Sequence, residues 1–476
     1  MIEFGLAKVC ITPPPGIRLF GQPEQLEAVG KYTDLYARSL YLHFGENDIM
    51  LITCDILFLP KENMDYMREE ISKNTGIDFR NIIIHTTHTH AGPSLISLFN
   101  EDNVDAEASS AIFKGIIDSG VTSFNNKRRG FVFFGRDVRK DLAFNRRYIM
   151  KDGSVELHPH KDNPDLIGPE GPADPEINVL LIKDENGVPA GAVANFSCHL
   201  TTLERNNTKY SADFPFFAEK NLMKSLENDE FVLLYFNGPC GNVCQVNVEN
   251  KDSVEVGIEH TKNMGERFSQ SVINAMESAV PVGGKVFDDD AFIKTLYKEI
   301  KVPVRKITEN MVSTAKNTLN IFDGKYLGVS NVSNYGIESY DDKSVISANQ
   351  FLETDFWKKA AASELLTLHE RYKNDNLETV PLTVANIDGI FIATVPAELF
   401  VEYSLEIKSK LKEKYRGVIV IELANGWVGY VPTKRAFIPE KGGYEVQFLN
   451  SSKLCEEAGD IMVKEIFAME KELGRA

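Results

Sequence analysis

The chain has 476 residues, 25% of them charged, and a formal net charge of −17 with no clustered stripe of lysine and arginine. Phosphate recognition needs grouped cations, so nucleic acid is excluded as a partner, and the same sign disfavours anionic membrane surfaces. Six cysteines are too few for a disulfide framework in so long a chain; the first residues lack a leader's basic and apolar regions and no run reaches membrane-helix length, so a cytoplasmic protein with no membrane span is expected.

In chain order, strands are predicted over 39–44, 49–54, 82–85, 130–134, 177–182, 191–196, 231–236, 390–395 and 418–423. They alternate with helical patterns, which describes an α/β architecture with a mixed, largely parallel sheet flanked by helices. Most runs are continuous in Val, Ile and Phe and so read as buried on both faces. One pattern recurs three times. Strand 49–54 ends at Asp55, a helix follows over 61–73, and strand 82–85 leads to His88. Strand 191–196 leads to His199, a helix follows over 216–225, and the unit ends at Tyr235-Phe236-Asn237-Gly238. Strand 390–395 leads to Glu398, a helix follows over 399–414, and strand 418–423 leads to Tyr430. Polar residues at the carboxyl ends of strands border the crevices of open α/β sheets, so the three units are expected to converge on one cleft. The polar stretch 285–376, strand-poor until a helix over 354–372, reads as an insertion that caps the cleft or serves oligomerisation.

The residues with chemical potential follow from these ends. In Thr87-His88-Thr89-His90-Ala91-Gly92-Pro93, two histidines one residue apart project from the same side of a strand end, and Gly92-Pro93 turns the chain; this is a candidate metal site. His199 reads alone either as a core histidine or as a ligand, Glu398 as an acid at a helix N-terminus, and Tyr430 as core. Asp213, in Ser211-Ala212-Asp213-Phe214, either caps a helix or orients His199 from behind. Asp55 stands where Glu398 stands in its own unit and reads as a supporting group or a vestigial ligand. His158-Pro159-His160 lies in a turn-rich stretch and reads as a solvated loop. Cys240 and Cys244 make at most a weak metal pair. No Gly-x-Ser-x-Gly elbow, phosphate loop or dinucleotide fingerprint occurs, which removes ordinary serine hydrolases, kinases and dehydrogenases.

The run from Thr87 to Pro93 resembles the Thr-His-Thr-His-Ser-Gly-Pro motif of the neutral, non-lysosomal ceramidases, zinc amidases that cleave N-acyl-sphingosine. Further matches follow in that family's order: Asp34-Leu35-Tyr36-Ala37-Arg38, Asn145-Arg146, Asn195-Phe196-Ser197-Cys198-His199, Val395-Pro396-Ala397-Glu398-Leu399, the segment from Ala424 to Thr433, and Gly443-Tyr444-Glu445. The resemblance covers the catalytic domain; the family's C-terminal immunoglobulin-like domain has no counterpart. It implies one catalytic domain over 1–476, with a four-layer αββα stack as the candidate arrangement. It also implies one zinc ion held by His88, His199, Glu398 and Tyr430, the number of metals remaining open. Arg146, His90 and Tyr444 are implied around it. Zinc then activates water, Arg146 or Tyr444 stabilises the oxyanion, and His90 carries the proton to the leaving group.

The chain departs from the family where Gly-Asp-Val-Ser-Pro-Asn is replaced by Gly241-Asn242-Val243-Cys244-Gln245-Val246-Asn247. Cys244 stands at the serine position, either as a thiolate near the metal or as a small buried residue. That change and the missing leader point away from ceramide toward a small polar N-acyl compound, such as an acylated amino sugar. Two alternatives remain: hydrolysis of an ester, lactone or glycosidic bond at the same metal, and a non-catalytic ligand-binding protein that kept the fold. The second predicts lost ligands, and all four are present.

Overall fold

The computed structural model describes residues 2–21, 26–96, 104–282, 292–322 and 352–474. Its first part contains β1 (Ile2–Cys10), β2 (Tyr36–Phe44), β3 (Asn47–Cys54), α1 (Lys61–Thr75), β4 (Ile82–Thr86), α2 (Ala106–Asn125) and β5 (Arg128–Val138). There follow β6 (Glu176–Asp184), β7 (Pro189–Phe196), α3 (Asp213–Ser225), β8 (Val232–Asn237) and α4 (Ile258–Glu277). The last part contains β9 (Ile293–Pro303), α5 (Glu309–Ile321), α6 (Asp355–Tyr372), β10 (Leu377–Ile387), β11 (Ile390–Thr394), α7 (Val401–Leu411), β12 (Gly417–Ile421) and α8 (Ala458–Leu473).

These strands build two sheets. The larger runs in the order β8-β7-β6-β5-β1-β2-β3-β4, with the short strand Val280–Pro281 added beside β5; the smaller runs β9-β10-β11-β12. Parallel pairing occurs between β3 and β4, β7 and β8, and β11 and β12, the three units that the sequence pattern singles out. The remaining long-strand pairs are antiparallel. The parallel share is thus smaller than continuous apolar runs suggest, because a strand covered on both faces needs such a run whichever way its neighbour points.

The two sheets face each other. Leu51 of β3 and Ile83 of β4 point into an apolar layer shared with Ile392, Ile419 and Ile421 of the smaller sheet. Their chain neighbours Met50, Ile52, Ile82 and Ile84 point the opposite way, onto Met64, Met67 and Ile71 of α1 and Ile112 and Ile116 of α2. Strand alternation therefore feeds two cores from one run, and each fully buried side chain of this size contributes roughly 1.5–3 kcal/mol. Leu222 of α3 and Phe268 of α4 cover the other end of the larger sheet. Ile407 of α7 and Met462, Ile466 and Met469 of α8 cover the smaller one. The result is the αββα stack. Among the described residues, no helix is long and apolar enough to cross a membrane, and all six cysteines are free.

Part of the stretch 285–376, read as an insertion, belongs to the smaller sheet. Its strand β9 pairs with β10 from Ile293↔Ile387 to Pro303↔Leu377 and forms an edge of the smaller sheet. Lys294, Lys298 and Lys301 interrupt its apolar residues, as suits an edge that must not recruit further strands, and so it carries no continuous apolar run. The expected helix is present as α6, whose first turn is capped by the Thr354 side chain. Residues 283–291 and 323–351 of the same stretch lie outside those described.

Candidate metal centre

His88, His199 and Glu398 each lie just beyond the carboxyl end of a strand in one of the three parallel units, β4, β7 and β11. His88 sits at φ 65°, Leu423 at 50° and Asn425 at 59°. Left-handed backbone at non-glycine residues costs on the order of 1–3 kcal/mol and persists where surrounding bonds enforce it. Asn425 shows how. Its Oδ1 accepts from Ile84 N at 2.9 Å and its N donates to Ile84 O at 2.8 Å, fastening the loop after β12 to β4.

Each imidazole spends its Nδ1 on a backbone carbonyl. His88 Nδ1 meets Leu57 O at 3.2 Å, His199 Nδ1 meets Cys240 O at 2.8 Å, and His90 Nδ1 meets Gly21 O at 3.0 Å. A carbonyl only accepts, so in the neutral rings the proton sits on Nδ1 and Nε2 presents a bare lone pair. Those lone pairs converge: His88 Nε2 lies 3.2 Å from His199 Nε2 and 3.3 Å from His90 Nε2. Glu398 Oε2 lies 3.4 Å from His88 Nε2 and 3.7 Å from His199 Nε2. Trp427 Nε1 donates to Glu398 Oε1 at 3.0 Å, whereas the buried Oε2 has no hydrogen-bond partner.

Such a set fits a cation. Tetrahedral zinc with bonds of about 2.0–2.1 Å spaces its donor atoms about 3.4 Å apart, close to the separations between these atoms. Buried lone pairs facing one another with an orphaned carboxylate oxygen are costly unless a positive charge lies between them. Among the described residues, His88, His90 and His199 also form a group whose nitrogens lie within 4.8 Å of one another. Tyr430 enters by strand register, since Glu398 pairs directly with Tyr430 and Leu399 with Val431.

Around this cluster stand the other expected residues. Arg146 Nη1 lies 3.5 Å from His199 Nε2, Nη2 donates to Gly241 O at 2.6 Å and Nε donates to Glu445 Oε1 at 3.2 Å. Its guanidinium carbon lies 5.2 Å from the Tyr444 ring centre and 5.7 Å from that of Tyr430. Burial, assisted by the neighbouring His88 and His199, holds His90 well below the ordinary imidazole value, so it is neutral near pH 7. Burial and then Arg146 lower His199 to about 3. Burial, followed by the Glu398 charge, pushes the Tyr430 phenol well above its usual value; a cation beside it would reverse that balance.

Three expected residues are placed elsewhere. Asp213 accepts from Thr202 Oγ1 at 2.7 Å, Thr202 N at 3.1 Å and Phe214 N at 2.7 Å. It ties the His199 loop to the start of α3, and the orienting of His199 falls instead to the Cys240 carbonyl. Asp55 accepts from Arg38 Nη1 and Tyr36 N, both at 2.8 Å, which consumes it in a buried ion network. Cys244 packs with Tyr148, Val246 and Val248, and burial raises its thiol to about 11. That placement favours the small buried residue over the thiolate, because a nucleophile needs a lowered thiol and access to the substrate.

Other residues contribute in ways that their sequence context did not assign. His158 is partly buried; its N donates to Arg146 O at 3.0 Å, and its ring is close enough to Arg146 and His199 to feel their charge, so it is no solvated loop residue. Glu422 accepts from Cys240 Sγ at 2.8 Å and Cys240 N at 3.0 Å, bracing the carbonyl that holds His199. Trp427 and Glu445 stand inside quoted motifs, and only their bonds reveal their tasks.

The profile of the neutral/alkaline non-lysosomal ceramidases, N-terminal part, matches residues 4–251, slightly more than half of the chain. The chain belongs to this family. A neutral ceramidase from Pseudomonas aeruginosa is 30% identical over 223 residues, which span 44% of this chain and 32% of that protein. The matched part is thus about a third of that relative's length. The crystal structure of neutral ceramidase from Pseudomonas aeruginosa superposes with a TM-score of 0.68 at 18% identity, over 99% of this chain and 75% of that one. A ceramidase complexed with C2 gives the same score and identity over 99% and 76%. These likenesses identify the fold of this ceramidase-family chain. His88, His90, Arg146, His199 and Cys244 lie inside the family match, whereas Glu398, Tyr430 and Tyr444 lie outside it and reach the site through the fold.

Proposed function

We propose that this chain is a zinc-dependent hydrolase that cleaves the amide bond of a small N-acyl substrate. The observation that carries the reading is the triangle of His88 Nε2, His199 Nε2 and Glu398 Oε2, with spacings of 3.2, 3.4 and 3.7 Å and no hydrogen-bond partner for Oε2. Membership of the ceramidase family supports amide chemistry. Tyr430, placed beside Glu398 by register, is assigned as the fourth donor. When bound, zinc supplies Lewis-acid polarisation of the scissile carbonyl and a more acidic water.

The chain's own groups do the remainder. His90, neutral at Nε2, accepts the proton of the attacking water and returns it to the departing amine nitrogen. Arg146, fixed by Glu445 and Gly241, aims Nη1 at the edge of the cluster where negative charge grows on the carbonyl oxygen, and needs no rearrangement to stabilise it. A narrow pocket of about 20 Å³ reaches His90 between Leu19, Leu26, Leu200 and Leu203, with Glu204 and Arg205 also lining it.

The test is metal analysis of purified protein together with hydrolysis of N-acyl amides, esters and glycosides by wild type and His88→Ala. One zinc per chain and amide hydrolysis lost in the variant is the expected result. Turnover of only esters or glycosides would move the assignment to those bonds, and full activity in metal-free protein would end it.

A further inference from the structure

Trp427 is one of only two tryptophans in the chain, and its placement is unusually well determined. Its Nε1 donates to Glu398 Oε1 at 3.0 Å. One ring face stacks on Phe58 with centres 3.9 Å apart and planes 8° apart, and Phe58 in turn lies 6.4 Å from the His88 ring. Lys453 Nζ lies 5.5 Å from the Trp427 ring centre and is itself held by Val428 O at 2.9 Å. Trp427 also joins Phe20, Leu57, Phe58 and Leu423 in one buried apolar cluster. The indole therefore has little freedom to turn away from Glu398.

The consequence lies in which carboxylate oxygen remains. A free carboxylate presents two equivalent oxygens to a cation and can bind through either or both. Here one is occupied by a donor whose ring is clamped by stacking, and the other, without a hydrogen-bond partner, faces the two imidazoles. An outer hydrogen bond of this kind fixes ligand orientation before the metal arrives and so reduces the ordering that binding must accomplish.

Resting on the metal reading above, we propose that Trp427 is the positioning residue of this centre: its indole N–H holds Glu398 so that Oε2 alone faces the cation, and its fluorescence reports occupancy. Trp427→Phe keeps the stack on Phe58 and removes the donor. In metal-stripped protein titrated with zinc, this variant is expected to lose roughly 10- to 100-fold in affinity, and its metal-free form melts lower because Glu398 Oε1 has lost its donor. The visible spectrum of the cobalt-loaded variant is expected to shift as the carboxylate becomes free to bind through both oxygens. In an Glu398→Ala background the further change Trp427→Phe should leave zinc affinity where it is, whereas a merely structural role would carry its penalty over. In Trp357→Phe, where Trp427 is the sole tryptophan, emission should change on zinc addition and saturate at one equivalent.

Zinc affinity within threefold of wild type in Trp427→Phe, or the same loss with and without Glu398, overturns the proposal. Should Trp427→Phe not fold, wild type answers the question, because only two indole N–H resonances exist. The one assigned to Trp427 must move on zinc addition and lose that response in Glu398→Ala; a resonance indifferent to both overturns the proposal. Wild type that binds no zinc overturns the metal reading together with this one, whereas zinc-binding wild type with an unaffected variant overturns this one alone.

Discussion

Two buried polar clusters stand at the ends of comparable strand units, and they differ in one respect. At the end of β3, the Asp55 carboxylate and that of Glu219 share the Arg38 guanidinium, with bonds of 2.8, 3.1 and 3.3 Å, and Lys8 also pairs with Glu219. Every charge there has its opposite within the protein. Beyond the end of β11, Glu398 faces two imidazoles whose available nitrogens carry lone pairs, and one of its oxygens bonds nothing. The first cluster is saturated and holds elements together; the second turns donor atoms toward one another at spacings a cation would bridge. Buried position and spacing along the chain are alike in the two cases, so the partner across the cluster decides which one could receive a cation.

The strongest way to break this comparison is to show that the second cluster needs no cation. His88→Ala or zinc removal should lower amide hydrolysis by on the order of 10³-fold or more, and bound zinc measured alongside should fall with it. Within the cluster, Tyr430→Phe should weaken zinc binding. His90→Ala should keep zinc yet lower kcat by roughly 10²- to 10⁴-fold; the reverse pattern would exchange their roles.

Next in size is the saturated cluster. Arg38→Met leaves two buried carboxylates facing Lys8 alone and should cost about 3–5 kcal/mol in urea unfolding, while the variant that does fold retains its zinc. A stable variant without zinc would mean the network serves the metal after all. Arg146→Met, also buried but aimed into the site, should lower kcat by about 10²- to 10³-fold at unchanged zinc content; equal loss of metal would make it a scaffold residue.

The smallest effect is expected at Cys244. Cys244→Ala should keep its activity and lose only about 1 kcal/mol of stability. Burial pushes the folded thiol from the ordinary thiol range up to about 11, so its contribution is intact below about pH 9 and disappears as pH rises toward 11. The stability deficit of the variant should therefore shrink above pH 9. Alkylation of Cys244 in the folded protein at neutral pH, before the exposed Cys10, would restore the nucleophile reading.

Much of this was legible in the chain. The three strand–helix–strand units were readable because a parallel pair must be joined by a crossover helix, which leaves a periodic imprint. The histidine run and the order of its companion motifs pointed to residues that the fold gathers around His88. β9 escaped because an edge strand carries lysines where a central one carries valines. Asp55 and Glu398 looked equivalent because position within a unit says nothing of what lies opposite.

The sequence by itself determined the α/β character, the three converging units and the identities of the groups at their ends, since periodicity and residue type are local properties. Only the tertiary structure decided that Asp55 is neutralised by Arg38 while Glu398 Oε2 is not, that Cys240 rather than Asp213 orients His199, and that Trp427 fixes one carboxylate oxygen. Those outcomes depend on contacts between residues far apart in the chain, such as His88 with Glu398 and Cys240 with Glu422, and the cost of an unpaired buried charge is set by what the fold brings beside it.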